Sequence, residues 1–146
     1  MFINDKEDVI TKIRDPFAKS VIKGLHAYDA IYEHVIHNIL FPNSRYEFIG
    51  ISEDSGNVRF ILQQKYLSDK FITPSQNIID AYLIQGLGLK IENRYYYANE
   101  YIAITDVSAN SDNVLFDGKQ LFFIDPIIKF KKPATLAFDY YYKLLR

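Results

Sequence analysis

The chain has no cysteine and no tryptophan, carries only 6 glycines in 146 residues, and shows no excess of positive charge, with 17 lysines and arginines against 18 acids. Without a thiol there is no disulfide framework, no thiolate metal site and no cysteine nucleophile, and a reducing compartment is allowed. A net charge of −1 gives no electrostatic ground for binding nucleic acid. No apolar run approaches the roughly 18 residues that a membrane helix needs. The start, MFINDKEDVITKIRD, is too charged for a signal peptide. The expectation is a cytoplasmic domain that engages neither nucleic acid nor membrane. Hydrolase signatures are missing too. No Gly-x-Ser-x-Gly elbow occurs, and Glu33, His34 and His37 do not form the His-Glu-x-x-His pattern of zinc enzymes.

Aromatic and apolar residues are abundant. Apolar residues make up 49% of the chain, with 12 tyrosines and 11 phenylalanines, so it has enough apolar surface to fold, and its length fits one domain spanning residues 1–146. Residues 5–40 read as helical with a break at Asp15-Pro16, because proline disfavours helical geometry in the residue before it. Beyond Phe17, the positions Val21, Leu25, Tyr28, Tyr32, Val35, Ile36 and Leu40 recur mostly at three- and four-residue spacing. RYEFIGI and NVRFILQQKYL, flanking EDSG, predict a hairpin. Pro74 and QGLGL bracket a helix over 74–88, with the glycines as a C-terminal cap. RYYYANEYIAITD, NVLF and QLFFIDP read as short strands, the last two joined across Asp117-Gly118. The fold class is α+β: an N-terminal helical segment, an antiparallel sheet and a middle helix.

The chemistry concentrates in ITDVSANSDNVLFDGKQLFFIDP, residues 104–126. Asp106, Ser108, Asn110, Asp112 and Asp117 fall at positions 1, 3, 5, 7 and 12 of a calcium-loop pattern. That pattern wants glycine where Ser111 stands, glutamate where Asp117 stands, and helices on both flanks, where strands are predicted. A polar loop and hairpin would also account for these residues, since Asp, Asn and Ser favour turns. Turn chemistry leaves one feature over: Asp125 closes the apolar strand LFFI, and a buried carboxylate needs a partner.

NVL, a strand, a turn, a second strand and then an aspartate resemble the protein-kinase-like fold, and in particular the small kinase-like domains of bacterial polyvalent proteins carried by phages and conjugative elements. HNILFPNSRYEFIG, ILQQKYL and YANEYIAITD extend the resemblance, in order, over roughly residues 20–130. It implies Asp106 as the catalytic aspartate, Asn113 and Asp125 as magnesium ligands, and Glu33 as the glutamate that pairs with a nucleotide-binding lysine. It also implies that the segment containing Gln64 and Lys65 lies along adenine, with magnesium and ATP as cofactors. The chain departs from the kinase pattern in several places. Asp106 and Asn113 are seven residues apart instead of five, no His-Arg precedes Asp106, and Pro126 replaces Phe-Gly. With residues 5–40 read as helix, nothing ahead of Glu33 supplies a glycine-rich loop or a lysine-bearing strand. The expectation is therefore a catalytically inactive kinase-like remnant that acts as a binding or interaction domain. The alternatives are a magnesium-dependent phosphotransferase completed by another chain and a plain interaction module. Tyr95-Tyr96-Tyr97, Tyr140-Tyr141-Tyr142, read as strand residues, and the apolar end PATLAFDYYYKLLR make a protein partner or self-association the expected mode of contact.

Overall fold

The computed structural model describes residues 2–4, 9–16, 27–65 and 71–145. Among them, two four-stranded antiparallel sheets, a two-stranded ribbon and three helices form a mixed α+β fold, as expected. One boundary is corrected. Phe2–Asn4 (β1) and Val9–Arg14 (β2) are strands and not helix. In β2 the β-branched Val9, Ile10, Thr11 and Ile13 suit a pleated backbone, and alternation turns Ile10 and Lys12 inward while Ile13 stays exposed. Pairing settles the matter: β2 lies antiparallel to Asn57–Lys65 (β4), from Val9 opposite Lys65 to Arg14 opposite Phe60. The predicted helix survives as Ala27–Leu40 (α1). Phe17, Val21, Leu25 and His26 lie outside the described residues.

Helix α1 buries Ile36, His37 and Leu40 and stops where Pro42 opens a 3-10 turn over Pro42–Ser44. Asn38 then fixes where the next strand begins. Its side-chain amide donates to the Tyr46 carbonyl (2.9 Å) and accepts from the Tyr46 N–H (2.7 Å). The strand Tyr46–Asp54 (β3) returns as β4 through Ser55 and Gly56, both at positive φ (52° and 83°), the geometry of a two-residue hairpin turn. The first sheet has the order β1-β2-β4-β3.

The expected middle helix is Gln76–Asp80 (α2), capped by the Ser75 hydroxyl, which accepts from the Ile78 N–H. It widens into a π-helical turn over Ala81–Gly86 and ends at Gly88, whose φ of 72° suits glycine. There follow Lys90–Asn93 (β5), Tyr96–Ala98 (β6), Ile102–Thr105 (β7), Val114–Phe116 (β8), Leu121–Phe123 (β9) and Ile127–Phe130 (β10). The second sheet runs β10-β7-β6-β5, and β8 pairs with β9 as a separate ribbon. Tyr140-Tyr141-Tyr142, expected in a strand, belongs to a helix, Ala134–Leu144 (α3). Its spacing turns Tyr141 inward, where the hydroxyl accepts from Asn99 Nδ2 (2.8 Å), and leaves Tyr140 and Tyr142 outward. A continuous core joins Ile36 and Leu40 of α1 to Leu83, Ile104, Phe123 and Ala137. No helix among the described residues is long and apolar enough to cross a membrane.

Candidate functional site

The site forms where β2 meets the end of β9. Lys12 is only 2% exposed, yet it is held by polar groups on three sides. Its ammonium donates to the Ile124 carbonyl and to the Tyr46 hydroxyl (3.2 Å), lies 3.6 Å from Asp125 Oδ1, and sits 4.9 Å from the centre of the Tyr46 ring. Burial pushes the Lys12 pKa down to about 8, and the Asp125 charge offsets this only in part. The same burial raises the Tyr46 hydroxyl well above its ordinary value. From sequence no lysine-bearing strand is expected ahead of Glu33, and β2 is one. The available signal was Val9-Ile10-Thr11-Lys12, a β-branched run ending in lysine, which the helical reading concealed.

The acidic loop approaches from the second sheet. Asp106 follows β7 in a left-handed conformation, φ 61°, which aspartate tolerates better than most residues. This turn brings its carboxylate to Asn113, whose Nδ2 donates to Asp106 Oδ2 (2.7 Å) and to the Asp106 carbonyl (3.0 Å). The two extra residues between them, relative to the kinase spacing, are taken up inside the loop. The Ser111 N–H and hydroxyl both donate to the Ser108 carbonyl (3.0 and 2.7 Å), and Asp112 adds a second positive φ of 62°. Gln76 of α2 anchors the loop from behind. Its Oε1 accepts from the Ala109 N–H (2.8 Å), while its Nε2 donates to Asp80 and Tyr97 (3.0 Å each).

Asp125 arrives by ribbon register. Val114 pairs with Phe123, and the Ile124 N–H donates to the Asn113 carbonyl (2.8 Å), so Asn113 stands beside the residue that precedes Asp125. Arg14 lies two residues after Lys12, on the same face of β2, and its guanidinium donates to Asp125 Oδ1 at 2.5 Å. Burial works to lower the Arg14 pKa, and Asp125 and Tyr46 together outweigh it and leave it raised. A divalent magnesium ion requires hard oxygen donors. Asn113 Oδ1 and Asp125 Oδ2 are such donors and accept no hydrogen bond among the described residues, so the donor set fits. No cluster of three or more histidines, cysteines and acids able to hold a metal occurs among the described residues. Asp117, the twelfth position of the calcium-loop pattern, caps the β8–β9 turn through the N–H groups of Lys119 and Gln120 (2.8 and 2.7 Å).

The other residues singled out from the sequence lie around this centre. Glu33 stands on α1, and its charge reaches Tyr46. Gln64 is buried in the middle of the first sheet, opposite Ile10 on one side and Tyr46 on the other, and its Nε2 donates to the Ser44 carbonyl (2.7 Å). Lys65 ends β4, exposed, opposite Val9, and the next five residues lie outside the described set. His37 is buried with Nε2 2.8 Å from the Ser44 carbonyl, and burial pushes its pKa down to about 3. The structure thus joins Asp106 to Asn113 and brings Lys12 and Arg14 to Asp125. Lys12, Arg14, Tyr46 and Gln76 were not picked out from sequence.

No curated protein and no solved structure matches this chain. Residues 1–132 match the family model described as the serine/threonine/tyrosine kinase found in polyvalent proteins. With that match spanning most of its length and a buried lysine beside Asp125, the chain belongs to the kinase-like family of polyvalent proteins.

Proposed function

We propose that this domain binds a nucleoside triphosphate where β2 meets the ends of β8 and β9 and transfers its terminal phosphoryl group to a hydroxyl acceptor. The observation that carries this reading is Lys12, a cation buried at a solvation cost next to the carboxylate that the kinase pattern assigns to metal. Lys12 supplies its charge to the phosphates in this reading, and Glu33 of α1 acts on it at longer range through Tyr46. The segment beginning at Gln64 and Lys65 offers backbone groups to the base. Asn113 and Asp125 hold magnesium, which when bound supplies positive charge to the phosphates. Asp106 accepts the proton of the attacking hydroxyl, and its bond to Asn113 keeps its carboxylate beside the metal-binding oxygens.

Thermal unfolding with ATP and magnesium tests this reading. A ligand that binds only the folded state adds RT ln(1 + [L]/Kd), about 2.7 kcal/mol at a hundredfold excess over Kd. The wild-type chain is expected to show that stabilisation, and Lys12→Met to lose it. A wild-type chain that ATP leaves unshifted overturns the proposal. A second reading, an inactive domain that binds but does not transfer, draws support from Arg14, which already neutralises Asp125 at 2.5 Å. Tight ATP binding without turnover of its terminal phosphate on any hydroxyl acceptor would favour that reading.

A further inference from the structure

We infer that Arg14 is a built-in counter-cation at Asp125, so that the site takes up the polyphosphate of a nucleotide without needing a divalent metal. The inference rests on the proposed nucleotide site and concerns what charge that site requires.

Polyphosphate approaching a bare carboxylate is repelled, and a bridging metal ordinarily removes the repulsion. Here the repulsion is already cancelled. Asp125 Oδ1 receives the Arg14 guanidinium at 2.5 Å and the Lys12 ammonium at 3.6 Å, two cations on one carboxylate. Both cations come from one face of β2, so the strand that delivers one delivers the other. Arg14 is 36% exposed, and its guanidinium has donors left for a second acceptor after bonding Asp125. Lys12, by contrast, is sealed against Ile124 and Tyr46. The exposed cation is the one placed to meet an incoming phosphate. The sequence between β1 and β2, Asp5-Lys6-Glu7-Asp8, contains no glycine. Side-chain cations carry more of the phosphate contacts here than in a kinase that has a glycine-rich loop there.

Binding and metal loading are thereby separated. ATP docks on the exposed Arg14, with the Lys12 charge behind it, while a metal is left the Oδ2 oxygen of Asp125, beside the guanidinium held on Oδ1. Glu33 adds negative charge from α1, felt at Tyr46.

Isothermal titration of the whole chain with ATP, once in magnesium and once in EDTA, tests the inference. The wild-type Kd is expected to change by less than about threefold between the two buffers. Arg14→Gln is expected to lose about tenfold in EDTA and to recover most of it in magnesium, since a metal can then occupy the unguarded carboxylate. Arg14→Lys, which keeps the charge, should behave like wild type, and unfolding curves of all three confirm that β2 is in place. Equal losses in EDTA for wild type and Arg14→Gln overturn the inference while leaving the nucleotide site standing. Absence of ATP binding by the wild type in both buffers overturns the site and the inference together.

Discussion

Replacing Lys12 with methionine is expected to make the protein more stable at pH 7 while removing its nucleotide response. The drop in the Lys12 pKa from 10.5 to about 8 corresponds to about 3 kcal/mol set against the charged side chain in the folded state. Methionine keeps much of the apolar stem and removes the ammonium. The lysine's own hydrogen bonds are lost, which returns about 1 kcal/mol. No buried partner is stranded, because the Tyr46 hydroxyl still donates to the Ile124 carbonyl (3.0 Å) and Asp125 still holds Arg14. The net gain is about 2 kcal/mol, or roughly 4–8 °C in melting temperature for a domain of this size.

The pH dependence separates this mechanism from simple repacking. Above pH 10.5 lysine is neutral in both folded and unfolded chains, and the penalty vanishes. As pH falls from 10.5 to about 8 the unfolded lysine binds a proton that the folded one refuses, so the wild type loses stability over that window. Below about 8 the penalty is complete. The advantage of Lys12→Met should therefore be full at pH 7 and shrink markedly by pH 10, in urea unfolding of both proteins at each pH. A variant less stable than wild type at pH 7, or an advantage that does not vary with pH, refutes the reasoning.

Gln76→Ala should cost roughly 1–3 kcal/mol, because it orphans the Ala109 N–H and loosens Asp80 and Tyr97; equilibrium unfolding measures the loss, and faster exchange of the Ala109 amide localises it. His37, with its pKa pushed down to about 3, should stay neutral in the folded protein at pH 5, visible in its imidazole NMR shifts; stability should fall as pH drops from 6.5 towards 3, where only the unfolded chain takes up the proton. Asp106→Asn should leave ATP-induced stabilisation intact and lower phosphoryl transfer by at least about a hundredfold, if Asp106 is the base.

Local turn chemistry made much of the fold legible. Glu-Asp-Ser-Gly at the β3–β4 hairpin, Ser75 and Gly88 at the ends of the middle helix, and Asp117-Gly118 in the ribbon each dictate their structure from a few neighbouring residues. The two misread segments depend on distant partners. β2 is short and flanked by charges, and its identity comes from pairing with β4, about fifty residues on. The tyrosines of α3 favour strands by intrinsic preference and become helical because Ala137 and Tyr141 fit the main core at four-residue spacing. The site inherits the same division. Asp106 and Asn113 lie in one loop and could be grouped from sequence, whereas Lys12 and Arg14 gain meaning only once β2 is a strand whose alternate residues share a face.

The distribution of apolar burial sets what the site can do as it fills. The main core joins α1, the π-helical turn after α2, the second sheet, the ribbon and α3, while Ile10, Phe60 and Leu62 of the first sheet are buried apart from it. Among the described residues, polar contacts tie the first sheet to the ribbon, with Lys12 and Tyr46 on the Ile124 carbonyl and Arg14 on Asp125, while the Tyr46 ring packs on His34 and His37 of α1. Net contributions of about 1 kcal/mol per hydrogen bond are small beside those of a continuous apolar core. The sheet carrying Lys12 should therefore open at lower free energy than the sheet carrying Asp106. Native-state hydrogen exchange should show β2 and β4 amides exchanging through a partial opening that leaves β7 protected, and ATP should slow β2 and β4 selectively. If β2 and β7 exchange with the same free energy and the same denaturant dependence, the two sheets unfold as one unit, and the first sheet is no more weakly held than the second.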